Sequence, residues 1–584
     1  MSERIRAYLA STEGNLYRLF LADSPRAYRT SLIGLTLLIA AAVALLVLGG
    51  PTPQKANAND TFLLLDSGWR IFCGQRPHLD FYEPLGLASS TPVVVGMWVA
   101  GSNASALACG PAVLFPLLTL GTWWYARRRF AAFNAMWIAA MVGSLSIGTF
   151  SVGWNTGWNI HSYAMLYNRF AWSLLCLLAL AMFVEPRATV RRRAFWEGLG
   201  VGVLTCLLIL SKVNYLTGAV LVLVVGGLLV RHGRAFWWGV AFSVGLGLAI
   251  YSVYMRGDVT AYARDLAMLR GIQPLARVIA TFTKVLRSSI AELWPLALIV
   301  FLQLHPIFAH GQPNALSRPW LRGLALATLV VALGMVVTVG NAQSYAIPLF
   351  VVASLMMVET FERLADLVPL NREESKDDAR RTLRLRVSVG HLAALVAGLG
   401  FLAADLGSVA HSFLWNELRG AKAGASAEIA SVAMRGVTYP REDGEFDPTP
   451  DALGRTSSRL GNFTAIGHAR RINDGLELLG GRTNERSRIY ALDLFNPFPF
   501  LLQLPPARGT PICPHYGRLL DDAHHPPAER VFHEVTHVMV PKAPLALDTA
   551  AFLERIYGPH LRKHFARSAE SKHWILYVRK PAGG

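Results

Sequence analysis

Residues 31–50 read SLIGLTLLIAAAVALLVLGG, a run of twenty without a charged side chain. Coiled as a helix, the run rises about 30 Å, enough to cross the hydrocarbon core of a bilayer. Some thirty residues precede it and no small-residue cleavage site follows, so it reads as a retained span and not as a secretory leader. The rest of the chain has the same character. Its 584 residues are 53% hydrophobic and 16% charged, with a mean hydropathy of +0.36. Soluble domains carry roughly 25% charge, so this balance excludes disorder and disfavours a soluble enzyme. Further apolar runs lie near 104–125, 131–150, 170–184, 195–211, 215–230, 235–254, 290–307, 321–339, 345–361 and 387–407. The expected fold is therefore mostly α: a polytopic helical membrane protein of about eleven transmembrane helices.

Basic residues near span ends stay on the cytoplasmic side, which sets the orientation. Arg4, Arg6, Arg18, Arg26 and Arg29 precede the first span. Further groups are Arg127–Arg129, Arg187 with Arg191–Arg193, Arg231 with Arg234, Arg318 with Arg322, and the loop 363–386, and all fall on one side of an eleven-span layout. The loops 151–168 and 340–344, on the other side, hold no Lys or Arg. The N-terminus is thus expected in the cytoplasm and everything after residue 407 outside. The net charge of +18 (56 Lys and Arg against 38 Asp and Glu) is mostly orientation signal, and nucleic acid is not expected as a partner. One outer loop, 255–289, is basic, which fits either an anionic partner or a helix facing lipid headgroups.

From about residue 410 the chain becomes charged and Pro-rich. Strand-like runs at 488–494, 535–540 and 574–579 mix with a helical pattern at 547–565, which predicts a C-terminal outer α/β domain. The expected division is a cytoplasmic segment 1–30, a transmembrane domain 31–408 with an outer loop 51–103, and the outer domain 409–584. Cys73 and Cys513 both fall outside the spans, and sequence does not show whether they meet. The apolar run NPFPFLL at 496–502 either rests on the membrane or is a buried loop. Gly198 with Gly202, and Gly245 with Gly247, lie within spans and read as close helix packing.

The first outer loop carries the densest chemistry. Residues 57–86, NANDTFLLLDSGWRIFCGQRPHLDFYEPLG, hold four carboxylates beside a membrane. Asp60 precedes a helical stretch, and two readings stand for it: a cap for the first helical turn, or a general base that takes a proton from an attacking hydroxyl. Lys212 and Arg169 sit at outer ends of spans, where they either snorkel to the interface or stabilise a phosphate. Arg256 and Arg264, in the basic outer loop, are weaker candidates for that task. Trp69, Tyr82, Trp154, Trp158, His161, Tyr163 and Tyr167 crowd the same face, as belt residues or as stacking platforms for a sugar. Asn341 and Gln343 form a short polar outer turn.

An Asp opening a short helix directly after the first span, a Gly fourteen residues on and a Pro-x-x-Asp-Phe appear here as Asp60, Gly74 and Pro77 to Phe81. The pattern resembles the first outer loop of GT-C glycosyltransferases, in particular bacterial relatives of protein mannosyltransferases and of lipid A aminoarabinose transferase. The family's usual Asp-Glu is Asn59-Asp60-Thr61 here, so only the Asp carries over. The resemblance implies a donor sugar on a polyprenyl phosphate, an envelope glycan, lipid or protein as acceptor, and a bacterial inner membrane location with the C-terminal domain in the periplasm. It implies Asp60 as catalytic base and Asp80 as a second catalytic candidate. Lys212, Arg169 and Arg256 would then bind the lipid phosphate, and Asp66, His78, Tyr82, Tyr167 and Gln343 would line the substrate cavity. No cofactor is required by this reading, and no divalent cation is indicated.

A rival reading is a transporter or flippase for a lipid-linked or anionic substrate, which predicts paired ionisable residues deep within spans. His533-Glu534-Val535-Thr536-His537 matches the zinc-protease pattern H-E-x-x-H, which requires a helix. Its neighbours are β-branched and a Pro follows at 541, so the segment reads as a strand with its two His too far apart for one zinc.

Overall fold

The structure, a computed structural model, describes residues 23–54, 60–83, 85–148, 162–187, 191–269, 272, 275–310, 318–339, 347–365, 373–418, 426–440 and 465–581. Helix α1 (Pro25–Gly49) opens on a Ser24 side chain that accepts from the Ala27 amide at 3.1 Å, with Pro25 in the first turn. Then come α2 (Asp60–Phe72), α3 (Thr91–Ala100), α4 (Ala106–Ala126), α5 (Ala132–Ser144), α6 (Leu166–Phe183), α7 (Arg191–Ile209), α8 (Val213–Leu229) and α9 (Arg234–Tyr254). The bundle continues with α10 (Ala261–Met268), α11 (Leu275–Ser289), α12 (Trp294–His310), α13 (Arg318–Val339), α14 (Leu349–Ala365) and α15 (Glu373–Leu418).

Each of the eleven expected spans falls on one of these helices. Six are long and apolar enough to cross a membrane: α1, α4, α6, α9, most of α13 and the apolar part of α15. The other five, α5, α7, α8, α12 and α14, are shorter or carry charged ends. At 13 residues α5 rises only about 20 Å, less than a bilayer core. Helices α2 and α3 are not spans by length. They form an insertion between α1 and α4 in which α3 leaves Trp98 and Val99 exposed. Exposed Ile33, Leu37 and Leu48 on α1 and Trp238, Phe242 and Ile250 on α9 suit a lipid-facing surface.

The basic stretches meet at one end of the bundle. Arg128 and Arg129 pair with Glu197 of α7 at 2.7 and 3.0 Å. Arg187 bridges Asp23, Glu359 and Glu362, Arg322 pairs with Glu185, and the Tyr28 hydroxyl donates to the Phe130 carbonyl. Helices α7 and α9 cross backbone to backbone, because a Cβ on Gly198 would stand 1.9 Å from the Phe236 carbonyl oxygen. Gly198→Ala is expected to lower stability by roughly 1–3 kcal/mol, as overpacking does. Thermal unfolding of the detergent-solubilised protein checks this, and an unchanged midpoint would show that the crossing gives way.

At the opposite end lies the C-terminal part. Strands β1 (Ser426–Glu428) and β2 (Thr438–Pro440) pair antiparallel. Helix α16 (Ala465–Leu479) follows, then a four-stranded sheet made of β3 (Ile489–Ala491), β4 (His537–Pro541), β5 (Phe565–Glu570) and β6 (Trp574–Arg579). The order is β3-β4-β6-β5, with β3 and β4 parallel and the other pairs antiparallel. Two short helices, α17 (Phe498–Leu501) and α18 (Ala528–Phe532), and the longer α19 (Leu547–His564) complete it. The apolar run at 496–502 is buried and holds α17: Phe498 and Phe500 pack with Phe62, Leu65 and Trp69 of α2 in one core. The Trp69 indole donates to the Leu504 carbonyl at 2.9 Å. The first loop and the C-terminal part therefore share their hydrophobic interior.

Candidate active site

Asp60 is the first residue of α2, partly buried. Its neighbour Thr61 donates to the Gln54 side chain at 2.6 Å, and the Gln54 amide donates to the Thr438 carbonyl of β2 at 2.8 Å. The Thr52 amide donates to the Tyr163 hydroxyl at 2.7 Å. The start of α2 is thus tied to β2 and to the approach of α6.

Lys212 lies in the extended connector between α7 and α8. The first loop holds that connector. The Gly86 amide and the Ser89 hydroxyl donate to the Ser211 carbonyl, and the Ala88 amide donates to the Leu210 carbonyl at 2.7 Å. These acceptors are carbonyls that the end of a helix leaves without partners. Gly86 is needed at this approach, since a Cβ there would stand 2.1 Å from the Leu210 oxygen. Lys212 Nζ sits 5.7 Å from the centroid of the Tyr167 ring, within reach of a cation–π attraction.

A third group comes from the C-terminal part. Arg518 sits in the tight turn between Tyr516 and Leu520, where Gly517 has a positive φ of 65°. The Tyr82 hydroxyl donates to the neighbouring Leu519 carbonyl at 3.2 Å and locks the turn onto the first loop. Arg518 lies within electrostatic reach of both Asp60 and Lys212. Burial raises the Asp60 carboxyl from 3.8 to about 6, against the lowering pull of Arg518. Burial lowers the Lys212 ammonium to about 7, and repulsion from Arg518 adds to the effect. Arg518 of the 516–520 turn thus stands within electrostatic reach of a carboxylate at the start of α2 and of an ammonium in the α7–α8 connector, both poised near neutrality. A carboxyl poised near neutrality suits proton transfer.

The other residues named from sequence stand as follows. Asp66 is buried against Arg70 at 3.1 Å, and Arg70 donates to the Ala507 carbonyl and the Thr510 hydroxyl, so the pair clamps the loop to the C-terminal part. Asp80 accepts from the Arg76 amide at 2.8 Å, faces Arg508 at 3.7 Å and accepts from the Gly509 amide through its carbonyl. His78 Nδ1 meets Asp265 of α10 at 2.8 Å, both buried. Arg169 forms an ion pair with the buried Asp405 of α15, which also accepts from Ser144 at 3.0 Å. The structure thus gives the Arg169 guanidinium a carboxylate partner inside the bundle. Arg256 is exposed just past α9, in a left-handed backbone conformation. Tyr82 and Tyr167 do adjoin the site. Gln343, Asn341, Trp154, Trp158 and His161 lie outside the described residues.

The H-E-x-x-H segment is no helix: α18 ends at Phe532 and β4 begins at His537. Both His537 ring nitrogens are engaged, with the Thr536 hydroxyl at 2.8 Å and the Arg482 carbonyl at 3.1 Å. Among the described residues no three His, Cys, Asp or Glu side chains are grouped to hold a metal. Cys73 and Cys513 are both free thiols, one exposed and the other buried.

The chain is similar in structure to ArnT from Cupriavidus metallidurans, both bound to undecaprenyl phosphate and in the apo state. Identity is 13%, TM-scores are 0.42 and 0.40, and 94% of this chain and 98% of that one are covered. It is also similar to the arabinofuranosyltransferase AftD from Mycobacteria, at 11% identity and a TM-score of 0.41, over 96% of this chain and 40% of that one. No protein-family model and no curated protein matches the chain. At these identities and TM-scores the likeness supports no residue role.

Arg518 escaped the sequence reading because its segment, HYGRLL, shows only a turn. What makes Arg518 a site residue is its approach to Asp60 and Lys212, far away in sequence.

Proposed function

We propose that the chain is an inverting glycosyltransferase of a bacterial inner membrane. It moves a sugar from a polyprenyl-phosphate donor to a hydroxyl of an envelope glycan, lipid or protein on the periplasmic side. The basic end of the bundle, with the N-terminus, then faces the cytoplasm. The convergence of Asp60 with Lys212 and Arg518 carries this reading. The donor phosphate lies between Lys212 and Arg518, while Asp60 takes the proton from the acceptor hydroxyl as its oxygen attacks the anomeric carbon. The bond to the phosphate oxygen breaks on the opposite face, and the charge gathering on that oxygen is what fixed cations stabilise most. Polyprenyl phosphate and the glycosylated acceptor are released. Arg518 takes the place that sequence position assigns to Arg169.

The test is a mass profile of envelope glycolipids and polysaccharides from wild type, a deletion strain, and the deletion complemented with Lys212→Met or Arg518→Met. A sugar-sized loss in the deletion that neither variant restores is expected. Full restoration by both variants would remove the phosphate assignment.

The buried Arg169–Asp405 pair favours a second reading, the transporter or flippase. That reading predicts an intact lipid-linked precursor accumulating in the deletion, with no change in the products made from precursor supplied at the outer face.

A further inference from the structure

Arg518 reaches the site from a surface turn, and a turn by itself does not fix a long, flexible side chain. Within the turn the Leu519 amide donates to the His515 carbonyl at 2.9 Å and the Gly517 amide to the Leu520 carbonyl at 2.8 Å. The first loop holds this turn from one side, through the Tyr82 hydroxyl on the Leu519 carbonyl. Helix α19 holds it from the other, through Tyr516. The Tyr516 amide donates to the Thr549 hydroxyl at 3.2 Å, and its ring stacks on Phe552, with centroids 4.9 Å and planes 27° apart. The Tyr516 hydroxyl donates to the Asp522 carboxylate at 3.0 Å. Asp522 in turn pairs with Arg555, whose guanidinium lies 6.0 Å from the centroid of the Tyr516 ring.

Thr549, Phe552 and Arg555 recur every third residue, which sets them along one side of α19. Thr549 and Phe552 are buried, so the helix offers them as fixed points. Asp522 and Arg555 are each 54% exposed, and an exposed ion pair adds little to overall stability. What that pair does fix is the hydroxyl end of the Tyr516 ring, two residues before Arg518. Three unlike contacts on one half-exposed ring are more than a surface turn needs, and they make sense if the residue carried by the turn must stay in place.

At the site, burial acts first on both poised groups, and the Arg518 charge then lowers the Asp60 carboxyl and the Lys212 ammonium alike. Among the described residues the other titratable groups facing the two are Tyr167 and Cys513. Phenols and thiols keep their protons near neutrality, and burial pushes the Cys513 thiol up to about 12. Arg518 is therefore the charge whose distance from Asp60 and Lys212 changes when the turn moves. We propose that Tyr516 is a positioning residue for Arg518: its stack on Phe552 and its hydroxyl, held by Asp522 and Arg555, keep the Arg518 guanidinium facing Asp60 and Lys212. The consequence for sugar transfer rests on the transferase reading above, while the placement of Arg518 does not.

The test follows the titration of Lys212 in the full chain in detergent, by NMR of isotope-labelled dimethyl-lysines with the Lys212 signal assigned by its loss in Lys212→Met. Polyprenyl phosphate binding and thermal unfolding are measured on the same proteins. Arg518→Met sets the full size of the effect: the Lys212 midpoint should rise by roughly half a pH unit to one, as removal of a charge several ångströms away does. Tyr516→Ala should give most of that rise and weaken polyprenyl phosphate binding severalfold. Tyr516→Phe keeps the stack, and Asp522→Asn paired with Arg555→Gln leaves the net charge unchanged. Each should give part of the rise, with an unfolding midpoint within about 2 °C of wild type. In an Arg518→Met background Tyr516→Ala should shift Lys212 no further, because its effect passes through Arg518. If Tyr516→Ala does not fold, Tyr516→Phe and the paired variant decide. A Lys212 midpoint that all these Tyr516, Asp522 and Arg555 variants leave at the wild-type value overturns the proposal, and so does a shift that is equal with and without Arg518. Envelope sugars unchanged in the deletion strain, with the Lys212 shift present, would end the transferase reading and leave the positioning role standing.

Discussion

The Asp60→Asn protein is expected to keep its fold and lose sugar transfer by two to four orders of magnitude, roughly 10²–10⁴-fold, the usual worth of a positioned general base. Asparagine serves the start of a helix nearly as well as aspartate, so α2 and its tie through Thr61 to Gln54 should survive. The loss then reports on proton transfer alone. The pH profile gives a second check. As the proposed base Asp60 works only when ionised, so activity is expected to rise as pH climbs through about 6. As the proposed phosphate ligand Lys212 works only when protonated, so activity is expected to fall as pH climbs through about 7. The profile should be a bell peaking between these two values. Lys212→Arg should shift the alkaline limb upward, since a guanidinium stays charged in that range. Transfer by purified protein in proteoliposomes measures both effects. Unimpaired transfer by Asp60→Asn would reduce Asp60 to a helix terminus, and a profile flat from about pH 5 to 8 would remove the poised pair.

Breaking the Arg169–Asp405 pair should have the largest effect on stability. Asp405 is buried and Arg169 nearly so, and removing one partner leaves a charge in the bundle interior. Asp405→Ala or Arg169→Ala is expected to cost about 3–5 kcal/mol, as the loss of one member of a buried pair does. Replacing both, Arg169→Met with Asp405→Leu, should recover most of that, because no charge is then left uncompensated. Thermal unfolding in detergent measures this. The double variant also separates the two roles of Arg169: binding of polyprenyl phosphate should match wild type. A double variant that is stable but no longer binds polyprenyl phosphate would return Arg169 to the lipid site.

Particular residues show which parts of the site were legible beforehand. Lys212 stood out as an ionisable residue at the outer end of an apolar run, and Asp60 as a carboxylate opening a helical stretch in the first outer loop, both local signals. Tyr82 was marked as an aromatic in an outer loop, yet its role in holding the Arg518 turn was not visible. Asp66 and His78 were expected to line the cavity and Asp80 to be a second catalytic candidate. Their partners Arg70, Arg508 and Asp265 turn them into ties between the loop, the C-terminal part and α10. The strand reading of 530–541 held only for His537–Pro541, because α18 occupies its start.

The sequence by itself determined the helical bundle, the position of each apolar segment, the gathering of arginines toward one face and the mixed strands and helices after residue 410. Hydropathy and periodicity are properties of neighbouring residues, and the exclusion of water acts on each segment before any tertiary contact forms. Only the tertiary structure decided which charges meet. Asp60, Lys212 and Arg518 come together because the first loop shares a core with the C-terminal part and caps the end of α7, while Arg169 is withdrawn to Asp405. A charge takes its role from whatever lies within a few ångströms and from how much water remains there, and neither quantity is written in the residues beside it.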